Sequence, residues 1–536
     1  LVLCWGAVSL LSLACSTDDR RPTVQGGSTE GGSAATGGED GGGAANAGGN
    51  GGVGGDNVGG AGGILTSCEG VDCVRGSCDD ASGRAICDCL EGFSGIGCEN
   101  VNECLEPGLC GDHGVCFDGF GTHYCRCDVG FGWNGSTCVD QNECASDPCD
   151  PDATCTNVAD GFSCACDAGK FGNGFFCKST NSCAGNPCGS HGDCLPTTTG
   201  SVCSCDSGHS GEHCENACAT LDLDPALEAI VRTMIGKPTG VLAPSDVANL
   251  HELDASESSV TSLAGLECWP GLQKLDLSRT PLDSSAPKMA ALAQLNRLTS
   301  LDLGCTAITD LDFLAGHPTL RRLVVDTPLD CTSSLTDVSA LASVRALREL
   351  TLSGHGLTSV AALAQLRALT TLDLSRNALP DLEDLDRLAA LETLDVSSSQ
   401  ITELGALEEL ARLRELDVSY NSVASIQALS QLTRLEILVA GENSLALLPD
   451  LSALTSLRQL LLWSNELASV ERIAEVPTLY FVDLTNNQIT TLAPFEESGQ
   501  RASLFLTNNP LDCTTEKARV RTLEERGFEF IPHPCP

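Results

Sequence analysis

Basic residues are scarce in this 536-residue chain: 30 Lys and Arg stand against 72 Asp and Glu, for a formal charge of -42. A surface of that sign repels phosphate backbones and anionic headgroups, which excludes nucleic acid as a partner. Aromatic side chains make up only 4% of the sequence, so any place where they gather is informative. A phosphate-binding glycine loop, a G-x-S-x-G elbow and an H-E-x-x-H helix are all missing, and no carboxylates stand out as an acid/base pair. The chain therefore reads as a non-enzyme. His209 and His213 lie in a cysteine-rich loop around Gly211, where no helix would align them on a metal. Long apolar runs are lacking too, apart from Leu1 to Ala14, which is too short to span a bilayer and matches the apolar core of a secretory signal (residues 1–14).

Cysteine, in contrast, is abundant: 32 residues, of which twenty-four lie between Cys68 and Cys214. Thiols at that density belong to an oxidising compartment. Zinc is excluded because the spacings are C-x-C pairs with longer gaps rather than paired C-x-x-C hooks. Ahead of them, residues 15–66 are mostly Gly, Ala, Ser, Asn and Asp, too poor in large apolar groups to offset ordering entropy, and read as a flexible tether spanning roughly 35 to 40 Å.

From Cys68 the cysteines fall into four consecutive sextets with the same short, short, medium, one, medium gaps. Six cysteines permit fifteen connectivities. The spacing, with Gly92-Phe93 and Gly130-Phe131, resembles the EGF family over residues 67–99, 100–139, 140–178 and 179–215. The resemblance implies first-to-third, second-to-fourth and fifth-to-sixth bridges: Cys68–Cys78, Cys73–Cys87 and Cys89–Cys98; Cys104–Cys116, Cys110–Cys125 and Cys127–Cys138; Cys144–Cys155, Cys149–Cys164 and Cys166–Cys177; Cys183–Cys194, Cys188–Cys203 and Cys205–Cys214. Modules this small lack a sufficient apolar core, and bridges of roughly 2 to 4 kcal/mol each replace it.

The third module carries Asp140-Gln141-Asn142-Glu143 before Cys144, Asn157 two residues after Cys155, and Phe162 before Cys164. It is similar to calcium-binding EGF modules, which implies Asp140, Glu143 and Asn157 as side-chain ligands and Gln141, Val158 and Gly161 as carbonyl ligands for a cation that wants six to eight oxygens. The second module is similar but poorer: Asn100, Val101 and Glu103 precede Cys104, Asp118 follows Cys116, and His123 stands where an aromatic is expected. The first and fourth modules lack the acidic lead-in and are expected to be metal-free.

Leu13-Ala14-Cys15 resembles the lipobox of bacterial lipoproteins, although Ser12 departs from it and no basic segment precedes the apolar run. The resemblance implies a lipid on Cys15, with Ser16 favouring an outer membrane; secretion without lipid is the alternative.

Beyond Cys218, L-x-x-L-x-L-x-x-N-x-L recurs, as in Leu369-Thr370-Thr371-Leu372-Asp373-Leu374-Ser375-Arg376-Asn377-Ala378-Leu379, with twelve central positions from Leu253 to Leu504 and an unbroken 22-residue period from Leu350 onward. That period marks a leucine-rich-repeat solenoid over residues 250–511. Its D-L-S and x-I-x-x-L phrases resemble the internalin-type bacterial repeats, implying an N-terminal cap at 216–249 and a C-terminal cap at 512–536. An Asn column (Asn377, Asn421, Asn443, Asn465, Asn487, Asn509) is expected to bond turn backbone, with Ser and Thr replacing it in earlier repeats. Proximity suggests Cys218 with Cys268, Cys305 with Cys331 and Cys513 with Cys535; only Cys513–Cys535 is assigned, and the pairing of the other four is open. The chain is thus expected to be multidomain, with small disulfide-rich β modules followed by an α/β solenoid.

Strand positions facing the concave sheet are free of core duty. They carry an acidic stripe (Asp254, Asp276, Asp302, Asp373, Asp395, Asp417, Asp483), expected to be a solvated face, and a C-terminal apolar patch of Ile437, Val439, Leu461, Trp463, Tyr480, Phe481 and Phe505. Exposed aromatics of that kind mark partner sites. The expectation is a calcium-binding adhesion lipoprotein of a bacterial envelope that presents the solenoid on an EGF stalk to a protein or glycan on another surface. The alternative is an envelope spacer with no specific ligand.

Overall fold

The computed structural model describes residues 76–79, 86–89, 93–94, 99–100 and 103–105 and then, with short internal gaps, residues 108–535. The signal, Cys15 and the tether lie outside the described residues, as do the bridges expected for the first module, although Cys89 is disulfide-bonded.

Each EGF-like module is built on a main antiparallel hairpin, Gly76–Asp79 with Ile86–Cys89, Gly114–Asp118 with His123–Cys127, Ala153–Val158 with Gly161–Cys166, and Gly192–Pro196 with Ser201–Cys205, followed by a second, shorter strand pair. In the second, third and fourth modules the bridges run first to third, second to fourth and fifth to sixth. The second and fourth have cores made almost wholly of half-cystines, which is what a module too small for an aliphatic core requires.

The solenoid opens with a helix, Pro225–Ile235, whose Asp224 side chain caps the Ala226 amide and whose chain leaves through Gly236 at φ 65°. Twelve three-residue strands follow, from Glu252–Asp254 to Ser503–Phe505, all parallel, and Glu529–Phe530 of the C-terminal cap adds a thirteenth. The register aligns Leu253, Leu275, Leu301, Leu323, Leu350, Leu372, Leu394, Leu416, Leu438, Leu460, Val482 and Leu504 in one row. All are buried in a single continuous core. Short 3-10 turns form the convex side. Disulfides join Cys218 to Cys268, Cys305 to Cys331 and Cys513 to Cys535.

The Asn column satisfies turn backbone. Asn377 Oδ1 accepts the Leu357 amide at 2.9 Å, and its Nδ2 donates to the carbonyls of Leu352 and Leu374 at 2.8 Å each. His355 holds the same position one repeat earlier, a substitution beyond the Ser and Thr expected from the sequence. Its Nδ1 accepts the Leu335 amide at 3.1 Å, and its Nε2 sits 2.8 Å from the Val325 carbonyl. An imidazole can replace an amide here because a neutral ring presents one acceptor and one donor on opposite edges.

The expected stalk is where the structure differs from the sequence reading. Modules two to four do not project away from the solenoid; they lie along the flank formed by residues just ahead of each strand. The fourth module meets the early repeats, where Asn296 donates to the Cys203 carbonyl at 2.6 Å and Gln294 accepts the Gly211 amide at 2.9 Å. The third meets the middle repeats: Ala368 is 0% exposed and shares a cluster with Cys149 and Phe162. The second reaches Arg414, which donates to the Phe131 carbonyl at 2.7 Å. The modules therefore run antiparallel to the repeats. The physical reason is a small-residue seat and a row of guanidinium groups whose fixed donor forks suit carbonyl oxygens turned outward by the modules.

Candidate functional site

Two sites emerge: an oxygen-rich centre at the start of the third module and the concave face of the solenoid. In the first, Asp140 ends the strand Cys138–Asp140, Glu143 opens a 3-10 turn, and Asn157 and Val158 close the strand Ala153–Val158. The hairpin register sets Asn157 opposite Phe162 and Val158 opposite Gly161, and two bridges, Cys144–Cys155 and Cys149–Cys164, pin the turn to the hairpin. Asn157 Nδ2 donates to Asp140 Oδ2 at 2.5 Å, which brings two of the three side chains together.

Glu143 is the informative member. It is 2% exposed, and neither carboxylate oxygen has a hydrogen-bond partner. Burial without a partner, followed by repulsion from Asp140, pushes its carboxyl above the usual range. A buried charge is normally paired or bound to a metal, so an orphaned carboxylate beside Asp140 fits a hard cation. Among the described residues no group of three or more His, Cys, Asp or Glu side chains is placed to hold a metal; the cluster here has two carboxylates, with the Asn157 amide bonded to one of them. In the second module Asn100 lies on the strand Glu99–Asn100, Glu103 opens a 3-10 turn and Asp118 pairs with His123. Val101 and the side chains of these three residues lie outside the described residues.

On the concave face the middle of the acidic stripe is less solvated than expected, whereas Asp254 at its start is exposed. Each Asp has a local duty: one oxygen of Asp373, Asp395 and Asp417 accepts the amide two residues on, at 2.9, 2.9 and 2.8 Å. Asp417 is buried, and burial, reinforced by Asp417 and then Asp373, pushes Asp395 up to about 7. Asp302 is pushed up to about 6, first by burial and then by Asp276 and Asp326. Asp326 belongs to this stripe although it is not a residue adjoining a central leucine, which is why reading that column alone missed it.

At the C-terminal end Phe481 and Phe505 pack with ring centroids 5.1 Å apart. Trp463 lies flat on Gly441, where a Cβ would come within 2.1 Å of the indole. Tyr420 meets Trp463 edge-on at 6.5 Å and is 55% exposed; it sits in the left-handed turn after the strand, φ 56°, outside the columns the sequence singled out. Ile437 and Leu461 are half-buried. Two expected members are corrected. Val439 is buried, and Tyr480 is buried ahead of its strand, its hydroxyl accepting from Gln459 Nε2 at 2.6 Å. The patch is also divided, because register places Asp483 between Leu461 and Phe505.

No family model matches the chain. A cubilin homolog of Caenorhabditis elegans is 34% identical over 105 residues, 16% of this chain and 3% of that protein. Adhesion G protein-coupled receptor L4 of Danio rerio is 34% identical over 97 residues, 16% of this chain and 13% of the receptor. The chain thus spans only a small part of the curated relatives it matches. The solved structure of an internalin (InlF) from Listeria monocytogenes covers 57% of this chain and 88% of its own, with a TM-score of 0.51 at 23% identity. That likeness shows the leucine-rich-repeat fold with its parallel sheet, and the disulfide-rich modules precede it. Among the described residues no helix is long and apolar enough to cross a membrane.

Proposed function

We propose that this chain is a calcium-stabilised, non-catalytic adhesion lipoprotein of a bacterial cell surface, attached through Cys15, whose concave face grips a protein or glycan on another surface. The observation that carries the reading is the aromatic group Tyr420, Trp463, Phe481 and Phe505 at one end of the sheet, in a chain only 4% aromatic. Rigid aromatics of that kind supply most of the binding energy in protein interfaces. The adjoining carboxylates from Asp302 to Asp417 are held with their charges crowded, so the fitting partner is basic where it meets the stripe and apolar where it meets the rings. Changing Trp463→Ser together with Phe481→Ser is expected to weaken adhesion to whole cells or envelope extracts about tenfold or more. Unchanged adhesion would sink the assignment of this surface.

In the third module Asp140, Glu143 and Asn157, with the carbonyls of Gln141, Val158 and Gly161, would hold calcium, which supplies the positive charge that Glu143 lacks. Asn100, Val101, Glu103 and Asp118 would form a poorer site in the second. Calorimetry on the full chain is expected to record calcium binding with a Kd on the order of 10⁻⁴ to 10⁻³ M, as for extracellular modules generally, and Asp140→Ala is expected to remove the third-module component. A titration that gives no heat, or is indifferent to Asp140→Ala, defeats this part of the reading.

A further inference from the structure

Glu143 of the third module lies on the side of its centre turned to the solenoid, while Asp140, Asn157 and Val158 stay exposed. Arg348 donates to the Phe162 carbonyl at 3.0 Å, with its guanidinium 4.6 Å from the centroid of the Phe162 ring. Arg412 reaches the Asn142 carbonyl at 3.4 Å and Ser146 Oγ at 3.3 Å. Arg434 donates to the Gln141 side chain at 2.8 Å. These contacts line one side of the centre, yet the guanidinium groups bond to its neighbours rather than to the carboxylates of Asp140 and Glu143. Gly161 belongs to the same arrangement: its φ is +137°, and a Cβ there would lie 2.5 Å from Arg348 Nη1.

The solenoid's own acids engage part of this positive charge. Glu392 lies 3.6 Å from Arg412 and 3.9 Å from Arg414, and Glu436 lies 2.8 Å from Arg414. Glu143 is thus shut off from water by the packed flank and left without a direct partner. In an undocked module water would solvate it. Docking therefore imposes a desolvation cost on Glu143 that Arg412 and Arg348 offset only in part, neither of them hydrogen-bonding its oxygens. A divalent ion ligated by that carboxylate removes the cost at its source.

We propose that the flank of the solenoid is the docking surface for the chain's own EGF-like array, with Arg348, Arg412 and Arg434 as positioning residues, and that calcium in the third module locks the array down. The inference rests on the calcium reading above. Docking and calcium then strengthen each other by the same factor, because coupling between two binding events is reciprocal.

The test uses the full chain in EDTA and in millimolar calcium, followed by hydrogen exchange at residues 345–348 and 412–414, small-angle scattering and calorimetry. Calcium is expected to increase protection of both flank segments and to reduce the radius of gyration. Arg348→Ala with Arg412→Ala is expected to remove the calcium-dependent protection and to weaken calcium binding about tenfold. Glu143→Gln, which has no charge to desolvate, is expected to remain docked in EDTA. If calorimetry records calcium while protection is the same in both buffers, or falls with calcium, the lock is overturned and the calcium site stands. If no calcium binds, both fall together.

Discussion

Replacing Asn487 by alanine is expected to cost the solenoid about 2 to 4 kcal/mol, because one buried donor loses its partner, at about 1 to 3 kcal/mol, and two carbonyls each lose one of two hydrogen bonds. The side chain is 2% exposed. Its Oδ1 accepts the Leu467 amide at 3.0 Å, and its Nδ2 donates to the carbonyls of Leu462 at 2.8 Å and Leu484 at 3.1 Å. Alanine strands the Leu467 amide, while the carbonyls of Leu462 and Leu484 each keep one bond, from Asn465 at 3.1 Å and Asn509 at 2.8 Å. Equilibrium unfolding in urea reads the loss, and a change below about 1 kcal/mol would show that the column is dispensable. Asn487→Ser should lie between the two proteins. Ser399 stands naturally in this column and keeps bonds to the carbonyls of Leu374 and Ser397 at 3.0 and 3.1 Å, but lacks the second polar arm.

Asp395→Asn is expected to do the opposite and stabilise the fold at neutral pH. The amide oxygen can still accept the Ser397 amide, now at 2.9 Å, while the crowded charge is gone. Burial and the neighbours Asp417 and Asp373 raise this carboxyl from 3.8 to about 7, a gap equivalent to at most ~4 kcal/mol and to about 2 kcal/mol if the neighbours relax. A raised carboxyl binds its proton more tightly in the fold than in the open chain. Its cost is therefore complete above pH 7, fades as the pH falls toward 3.8 and vanishes below that. The variant's advantage should follow the same course in unfolding curves taken from pH 8 to pH 4. An advantage that does not change with pH would mean that the charge is not what the substitution relieves. His317 works in the other sense: complete burial depresses it to about 4, so its contribution is intact above the ordinary value of 6.5 and is lost as acidification passes through 4. Acid therefore relaxes the stripe while it threatens the core.

Crowded carboxylates held at such a cost on an otherwise idealised sheet fit the partner surface proposed above. The same holds for Gly441, which gives up side-chain packing so that Trp463 can lie on the sheet. Neither feature is required by the repeat.

What could be read from the chain in order was read well where the physics is local. The sextet spacing led to the EGF frame, whose bridges close loops of 9 to 15 residues in modules two to four. The 22-residue period aligned twelve strands because each repeat packs only on its neighbours, so one repeat's pattern is the pattern of the whole. Column reading found Trp463, Phe481 and Phe505 for the same reason. It missed Tyr420, which lies on the turn after the strand, and His355, which does by imidazole geometry what Asn does elsewhere.

The order of residues alone is enough for the modules, the solenoid, the aromatic end of the sheet and the residue types gathered at the acid centre, since each depends on residues within one or two repeats of one another. The folded arrangement adds that the EGF-like modules lie against the solenoid, that Glu143 is buried without a hydrogen-bond partner, and that Asp373, Asp395 and Asp417 crowd instead of being solvated. Those facts depend on pairs such as Arg348 with Phe162, 186 residues apart, and Arg434 with Gln141, 293 apart. No periodicity connects such pairs. In the sequence they are ordinary surface arginines beside leucines, and only the path of the chain through space turns them into a docking surface.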